Sequence, residues 1–181
     1  MPVDPAIVAV TRAAAAMIFA GSAAMKFSAP MEFRAAVENH RIVPESIAGL
    51  VAWVVPILEL AGAAGLFFST TRDGSAFLLL GLLAIFTGAI VLNLARGRRD
   101  IDCGCFGPMM RQRLSGWLVV RNIALALMVA AATANPETRT LLPLDYVTIA
   151  SGALALVILY IVLNYLLANA PMIAALGMRD A

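Results

Sequence analysis

Charged side chains are scarce in this chain of 181 residues: they make up 13% of it, and the formal net charge is +2. That share is about half of what soluble domains carry, whereas 62% of the residues are hydrophobic. A soluble domain of this length has too small a core to hide so much apolar surface, and the same composition excludes disorder. The nearly balanced charge argues against nucleic-acid binding. The composition therefore predicts an integral membrane protein.

Five apolar runs are long enough to cross the hydrocarbon core, which takes about 20 residues. Because backbone polar groups in lipid must be paired within the segment, each run is predicted to be a helix. We therefore expect an all-α, polytopic membrane bundle that forms a single domain. The first run is expected to be a retained span and not a cleaved signal peptide, because no basic segment precedes it and Arg12 lies inside it. The predicted spans are 6–27, 47–69, 75–95, 115–134 and 146–168.

The loops between these runs differ in length and charge. Residues 30–40 are expected to form one short amphipathic helix, and residues 96–114 form a long basic loop that holds both cysteines. Nine lysine and arginine residues fall on the side of this cysteine loop, against three on the opposite side. Since lysine and arginine are enriched in cytoplasmic loops, the counts predict a cytoplasmic cysteine loop and C-terminus, and an external N-terminus.

The chain has only two cysteines, and Cys103 and Cys105 are separated by a single glycine. A disulfide requires α-carbons no more than about 7 Å apart, and a central glycine permits the tight turn that this spacing needs. A ring this small is strained, and strained disulfides are the labile, oxidising ones. Arg96, Arg98 and Arg99 precede the pair and would favour the thiolate form. Cys103 and Cys105 are therefore predicted to be a catalytic redox pair.

Two other interpretations of the cysteines stay open. In the first they are inert free thiols, and in the second they hold a soft metal ion. Structural zinc and iron–sulfur sites use four ligands, whereas this chain has two cysteines and one distant histidine, His40. We expect His40 to be a solvated loop residue. No resident metal site is predicted, because a metal would need a second subunit or would be an ion held transiently during transport.

Ionisable side chains inside membrane helices are costly, so each one suggests a function. Glu59 lies near the middle of the second span, and Arg121 and Asn122 lie near the start of the fourth. Lys26 and Asn93 end the first and third spans on that same side. These residues are predicted to line a polar pocket beneath the cysteine loop. The alternative is structural: Glu59 pairs with Arg121 or Lys26 only to hold helices together.

Four glycines within the spans are expected to allow close approach between helices. They are Gly62, Gly65, Gly81 and Gly88.

A longer pattern surrounds the cysteines. From Asn93 to Gly107 the chain reads NLARGRRDIDCGCFG, and this stretch resembles the methylamine utilisation protein MauE family. Three shorter motifs resemble the family in the same order: Lys26-Phe27, the PILEL run at 56–60, and Arg121-Asn122. The resemblance covers about residues 13–130. The family is similar in architecture to DoxX-like four-helix membrane proteins and carries one additional span.

The resemblance implies a redox-associated accessory protein of the inner cell membrane. MauE-type proteins are linked to maturation of the disulfide-rich small subunit of periplasmic methylamine dehydrogenase, together with a thioredoxin-like partner, MauD. The expected partners are therefore a thioredoxin-like protein, an exported disulfide-containing client and the lipid bilayer, without nucleic acid. No cofactor is evident. A quinone cofactor is an open alternative that no feature of the sequence supports.

The resemblance conflicts with the charge counts. Disulfide chemistry on an exported client favours cysteines on the oxidising face, whereas the counts place the cysteine loop in the cytoplasm. Either the arginines serve the thiolates, or the protein passes electrons across the membrane; the charge rule is favoured because the loops are short. Three functions are compatible with the residues: thiol–disulfide oxidoreductase activity, transport of a soft metal ion, and a structural subunit without chemistry of its own.

Overall fold

The computed structural model describes residues 3–99, 101, 113–136 and 139–177, and side chains as far as Asn169. Cys103 and Cys105 lie outside the described residues. The described part of the chain forms six α-helices. They are α1 Pro5–Ser28, α2 Pro30–His40, α3 Glu45–Gly65, α4 Arg72–Ala95, α5 Gly116–Ala132 and α6 Pro143–Gly177.

Four of the helices form a closed ring in which each packs against two neighbours: α1 against α3 and α5, and α4 against the same two. Helix α6 packs on the outside of α1, and the short α2 packs on α3. Helices α1, α3, α4 and α6 are long and apolar enough to cross a membrane. Helix α5 has 17 residues, about 25 Å at 1.5 Å per residue, which is at the short end of the spanning range. The predicted membrane bundle, a four-helix core plus one helix, is confirmed.

Local signals explain where the helices begin. The side chain of Asp4 accepts a hydrogen bond from the backbone N–H of Ala6 at 2.8 Å, and Pro5 occupies the first turn of α1. The short helix predicted over residues 30–40 is α2, which ends where Arg41 adopts a left-handed conformation with φ of 49°. Two other ends differ from the expectation. Helix α3 stops at Gly65 because the apolar residues after it form a turn, and α6 continues to Gly177.

The glycines divide into two kinds. A β-carbon at Gly62 would lie 2.6 Å from a methyl carbon of Leu79, and one at Gly65 would collide with the side chain of Ser75. These two glycines therefore allow α3 and α4 to touch, as predicted. The same interpretation is wrong for Gly81 and Gly88, where an added β-carbon would meet no atom within 4 Å among the described residues.

The alternating helix directions give the bundle two distinct ends. The end of α1, the start of α3, the end of α4 and the start of α5 lie together, and we call this the cysteine end because the loop with the two cysteines joins α4 to α5 there. At the opposite end, the guanidinium of Arg12 donates to the backbone carbonyl of Ala132 at 3.0 Å. A cation at the C-terminus of α5 is favourable because the helix dipole is negative there.

Candidate functional site

A buried ion pair joins α1 to α3 in the cysteine half of the bundle. The Nζ atom of Lys26 donates to both carboxylate oxygens of Glu59 at 2.7 Å, and to the hydroxyl of Ser22 at 2.6 Å. The ammonium also lies 5.3 Å from the ring centre of Phe33 and 5.5 Å from that of Phe86. Both charged residues are 2% exposed. Of the two partners considered for Glu59, the structure places Lys26 at ion-pair distance.

The surroundings make this burial tolerable. A lone charge in the membrane interior is expensive, and a buried pair is retained only when further hydrogen bonds satisfy both groups. All three protons of the Lys26 ammonium have an acceptor, and the two aromatic faces add cation–π attraction. Ser22 lies one helical turn before Lys26 on α1, so its hydroxyl is placed to bond both members of the pair.

A second buried cation, Arg121, lies in the first turns of α5. Its guanidinium donates to the amide oxygen of Asn122 at 3.2 Å and to that of Asn164, on α6, at 3.1 Å. The amide nitrogen of Asn122 in turn donates to the hydroxyl of Thr87 on α4 at 3.0 Å. One arginine therefore connects α5 to α6, and through Asn122 to α4. A planar guanidinium suits this role because it offers several donors in fixed directions.

The two clusters line one internal cavity of about 30 Å³, whose walls include Lys26, Glu59, Arg121 and Asn122. This volume has room for about two water molecules, and its polar walls supply the partners that a buried water requires. The remaining wall is mostly apolar and includes Phe86, and its other polar residues are Ser22 and Tyr160. Four of the residues predicted to line a polar pocket therefore do share one cavity in the cysteine half of the bundle.

A third polar cluster closes the cysteine end around Asn93. The side chain of Asn93 is completely buried and donates to Nδ1 of His40 at 3.1 Å and to the backbone carbonyl of His40 at 3.2 Å. Arg98 donates to the amide oxygen of Asn93 at 3.1 Å and to the backbone carbonyl of Asn39 at 3.0 Å. The interpretation of His40 as a solvated loop residue is wrong: it ends α2, is half-buried and contacts α4.

The remaining predicted site residues are separated from these clusters. Arg96 and Arg99 are exposed at the end of α4, so Arg98 is the member of that trio whose described contacts hold helices together. The redox pair, Cys103 and Cys105, lies outside the described residues, and its role stays a prediction. Within the described part of the chain, no three histidine, cysteine or acidic side chains are grouped so as to hold a metal.

Two polar residues of the site were not singled out from the sequence. Ser22 and Thr87 look like isolated small residues in apolar spans, and hydropathy gives them little weight. The signal that could have found Ser22 is its spacing of four from Lys26, which places both on one helix face. Thr87 donates to the backbone carbonyl of Leu83 on its own helix, which gives no sequence signal, and its side-chain partner, Asn122, comes from α5.

An exposed ion network closes the opposite end of the bundle. The guanidinium of Arg139 donates to the carboxylate of Asp4 at 3.0 Å and to that of Asp145 at 2.7 Å. The hydrogen bond from Arg139, followed by that from the N–H of Ala6, lowers the pKa of Asp4 below its ordinary value. The hydrogen bonds to Asp145 and then to Asp4 raise the pKa of Arg139. These charges lie far from the polar cavity and tie the N-terminus to the loop before α6.

Comparison with known proteins identifies relatives along most of the chain. The sequence profile described as "Methylamine utilisation protein MauE" matches residues 4–135. Proteins named methylamine utilization protein MauE are similar to it in Paracoccus versutus, with 37% identity over 87% of this chain and 84% of the relative, and in Paracoccus denitrificans, with 35% identity over 84% and 81%. The relative of that name in Methylorubrum extorquens is 40% identical over 68% of this chain and 67% of its own. No solved structure matches the chain significantly.

Proposed function

The chain belongs to the methylamine utilisation protein MauE family, and we propose that it is a membrane-embedded thiol–disulfide accessory protein of methylamine utilisation. In this role Cys103 and Cys105 exchange disulfides with a thioredoxin-like partner and support maturation of an exported, disulfide-containing enzyme. The family's name supports the pathway, and the Cys-Gly-Cys motif supports the redox chemistry. The protein lies in the inner cell membrane, where it can serve an exported client.

The observation that carries this proposal is the concentration of buried polar groups at the cysteine end. Two buried cations, a carboxylate and a cavity with room for water lie in one half of the bundle, and ionisable groups inside membrane spans suggest a function. Thiol–disulfide exchange requires a thiolate and therefore the movement of protons. Glu59 can accept a proton, and the cavity beside it has room for water, on the side where the cysteine loop leaves the bundle.

The exchange of a disulfide between the two proteins needs no further oxidant or reductant. A thiolate of the dithiol form attacks a disulfide of the partner, and a mixed disulfide forms as one sulfur of the partner leaves as thiolate. The second cysteine then attacks the mixed disulfide, which releases the reduced partner and closes the Cys103–Cys105 bond. In the opposite direction the same steps oxidise a partner dithiol.

Cysteine substitution tests the proposal, because removal of the resolving cysteine should trap the mixed disulfide. Cys103→Ser or Cys105→Ser should accumulate an adduct that runs at higher mass on non-reducing gels and disappears with reductant. Each single variant should insert normally and lose client maturation. The double variant, which has no cysteine, is the matched control and should show no adduct. Full client maturation in the double variant would exclude the redox role.

A further inference from the structure

The charged residues around the polar cavity do not add up to zero. Lys26 is an ammonium, because its Nζ donates to both carboxylate oxygens of Glu59 and to the hydroxyl of Ser22, which uses three protons. Arg121 also stays charged, because a guanidinium is not deprotonated in proteins. Glu59 supplies a single negative charge, whichever of the two cations it is assigned to. The described residues that line the cavity therefore carry two positive charges and one negative charge, a net charge of +1.

This excess charge is enclosed within the bundle. Lys26 and Glu59 are both 2% exposed and Arg121 is 5% exposed, so bulk water and salt screen these charges only weakly. Two acceptors of the Arg121 guanidinium are the amide oxygens of Asn122 and Asn164, which have dipoles but no charge. A buried charge without a counter-charge is costly in a membrane protein. A negative ion inside the cavity would remove that cost.

We infer that the cavity binds a small monovalent anion of the halide class, of which chloride is the abundant member in cells. One such ion brings the sum of the charges to zero. The cavity of about 30 Å³ has room for about two water molecules, so it admits a single-atom ion with at most one water. Phosphate, sulfate and carboxylate ligands are too large for this volume. Water alone would fit the volume but would leave the charge uncompensated.

The walls of the cavity have the chemistry that a halide requires. Hydrogen bonds from charged N–H groups are the strong ones for an anion, and Lys26 on α1 and Arg121 on α5 both line the cavity. The carboxylate of Glu59 repels an anion, but this repulsion is offset by the ammonium of Lys26 at 2.7 Å. Leu83 and Leu125 line the apolar part of the wall and limit the competing water. Because the ion is attracted by α1 and α5 at once, its binding should stabilise the packing of these two helices.

Direct binding of chloride tests this site. The full-length protein in phosphatidylcholine nanodiscs is dialysed into sodium gluconate, whose anion is too large for the cavity, and is then titrated with chloride-36 at constant ionic strength. We expect saturable binding of one chloride per chain, and none to nanodiscs without protein. Because a ligand that binds only the folded state stabilises it, the melting temperature should be at least about 2 °C higher in chloride than in gluconate.

Two asparagine-to-aspartate variants provide a matched comparison. Asn122 lines the cavity and accepts from Arg121, whereas Asn169 bonds a backbone carbonyl on α6 and does not line the cavity. Asn122→Asp supplies the missing negative charge in place, so it should weaken chloride binding at least about tenfold and remove the difference between the two salts. Its carboxylate can accept from Arg121 and from the hydroxyl of Thr87, so the variant should fold. Asn169→Asp should bind chloride like the native chain.

Absence of saturable chloride binding, or equal effects of Asn122→Asp and Asn169→Asp, would overturn the inference. Arg121→Gln removes the excess charge from the other side and should also abolish binding, so retained binding in this variant would overturn it as well. Chloride binding does not depend on thiol chemistry, and the Cys103→Ser, Cys105→Ser double variant should bind chloride like the native chain. Failure of the redox proposal would therefore leave the chloride result intact, and absence of chloride binding would leave the mixed-disulfide test unaffected.

Discussion

The ammonium nitrogen of Lys26 lies 2.7 Å from both carboxylate oxygens of Glu59, although the two residues belong to different membrane-spanning helices and are both 2% exposed. A pair so deeply buried holds α1 against α3, and it also places a carboxylate on the wall of a water-sized cavity. Structural and functional roles for Glu59 are therefore compatible. They can be separated by comparing the stability of the protein with its activity.

Lys26 and Glu59 should stabilise the folded protein through each other, so that either residue alone is unfavourable. Removal of one partner by Lys26→Met or Glu59→Leu leaves an uncompensated buried group, and we expect each change to lower the free energy of unfolding by about 3–5 kcal/mol. The Lys26→Met, Glu59→Leu double variant removes both groups and should lose less than the sum of the single changes. Thermal unfolding in detergent measures all three.

The exposed pair Arg34–Glu38 on α2, with an N–O distance of 2.7 Å, is the control for this experiment. Glu38→Gln should change the unfolding free energy by no more than about 0.5 kcal/mol. A fully additive double variant would show that Lys26 and Glu59 do not stabilise each other. If the Lys26→Met, Glu59→Leu variant is stable but fails in client maturation, Glu59 has a role beyond helix packing.

Asn164 and Asn169 offer a matched comparison on α6. Each donates its amide to the backbone carbonyl four residues earlier, at 2.6 Å and 2.8 Å, but only Asn164 is also bonded by Arg121 in the described structure. Asn164→Leu should therefore lower the unfolding free energy by about 1–3 kcal/mol, because it removes a bond to a buried charge. Asn169→Leu should be nearly neutral. Equal losses at both positions would show that Arg121 does not fasten α6 to the core.

The fold was predictable because one simple property dominates it. Apolar runs of spanning length identify the membrane helices, and the amphipathic pattern of residues 30–40 identifies α2. The ends of α3 and α6 were less accessible to this reasoning. Hydropathy measures affinity for lipid and is insensitive to backbone conformation. The predicted second span therefore included the turn after Gly65, and the predicted last span ended inside α6.

The site was predictable in part. The rule that ionisable groups in a membrane span are costly selected Glu59 and Arg121, and both line the same cavity. The rule could not identify the partner of Glu59, because both Lys26 and Arg121 fell on the same side of the bundle. His40 was misjudged for a related reason: its contact with Asn93 joins residues 53 apart in the chain, and no local pattern indicates such a pairing.

The excess of basic residues at the cysteine end predicts the orientation in the membrane. Lys26, counted on that side, is neutralised inside the bundle by Glu59, yet the remaining bias keeps its sign. A reporter that works only in the cytoplasm should be active when it is fused after Ala181. A reporter that works only outside the cytoplasm should be active when it is inserted between Arg139 and Thr140. Export of the Ala181 fusion would show that the arginines serve the thiolates and not the topology, and Cys103 would then face the oxidising side.

The contact between Asp4 and Arg139 predicts an acid-dependent stability. Because the hydrogen bond from Arg139 lowers the pKa of Asp4 in the folded state, the contact stabilises the protein fully above the ordinary pKa of 3.8. This contribution is lost as the pH falls through the lowered pKa. The difference in melting temperature between the native chain and Asp4→Asn should therefore shrink below pH 3.8. Arg139→Gln should reduce this pH dependence, and an unchanged dependence would exclude Arg139 as its cause.

The contact between α3 and α4 should respond to a single added methyl group. At Gly62 the new β-carbon would lie 2.6 Å from one carbon of Leu79 and 2.8 Å from another, and Leu79 is completely buried, so it has little room to move. We expect Gly62→Ala to lower the unfolding free energy by about 1–3 kcal/mol through overpacking.

Gly81→Ala, on the open face of α4, should have the opposite effect. It gains up to about 1 kcal/mol of helix propensity without a clash.

In the Gly62→Ala, Leu79→Ala double variant the clash is removed. Stability should therefore recover relative to the sum of the two single changes, because the second substitution makes room for the first. If Gly62→Ala raised the melting temperature as much as Gly81→Ala does, the close approach of α3 and α4 at this point would be refuted.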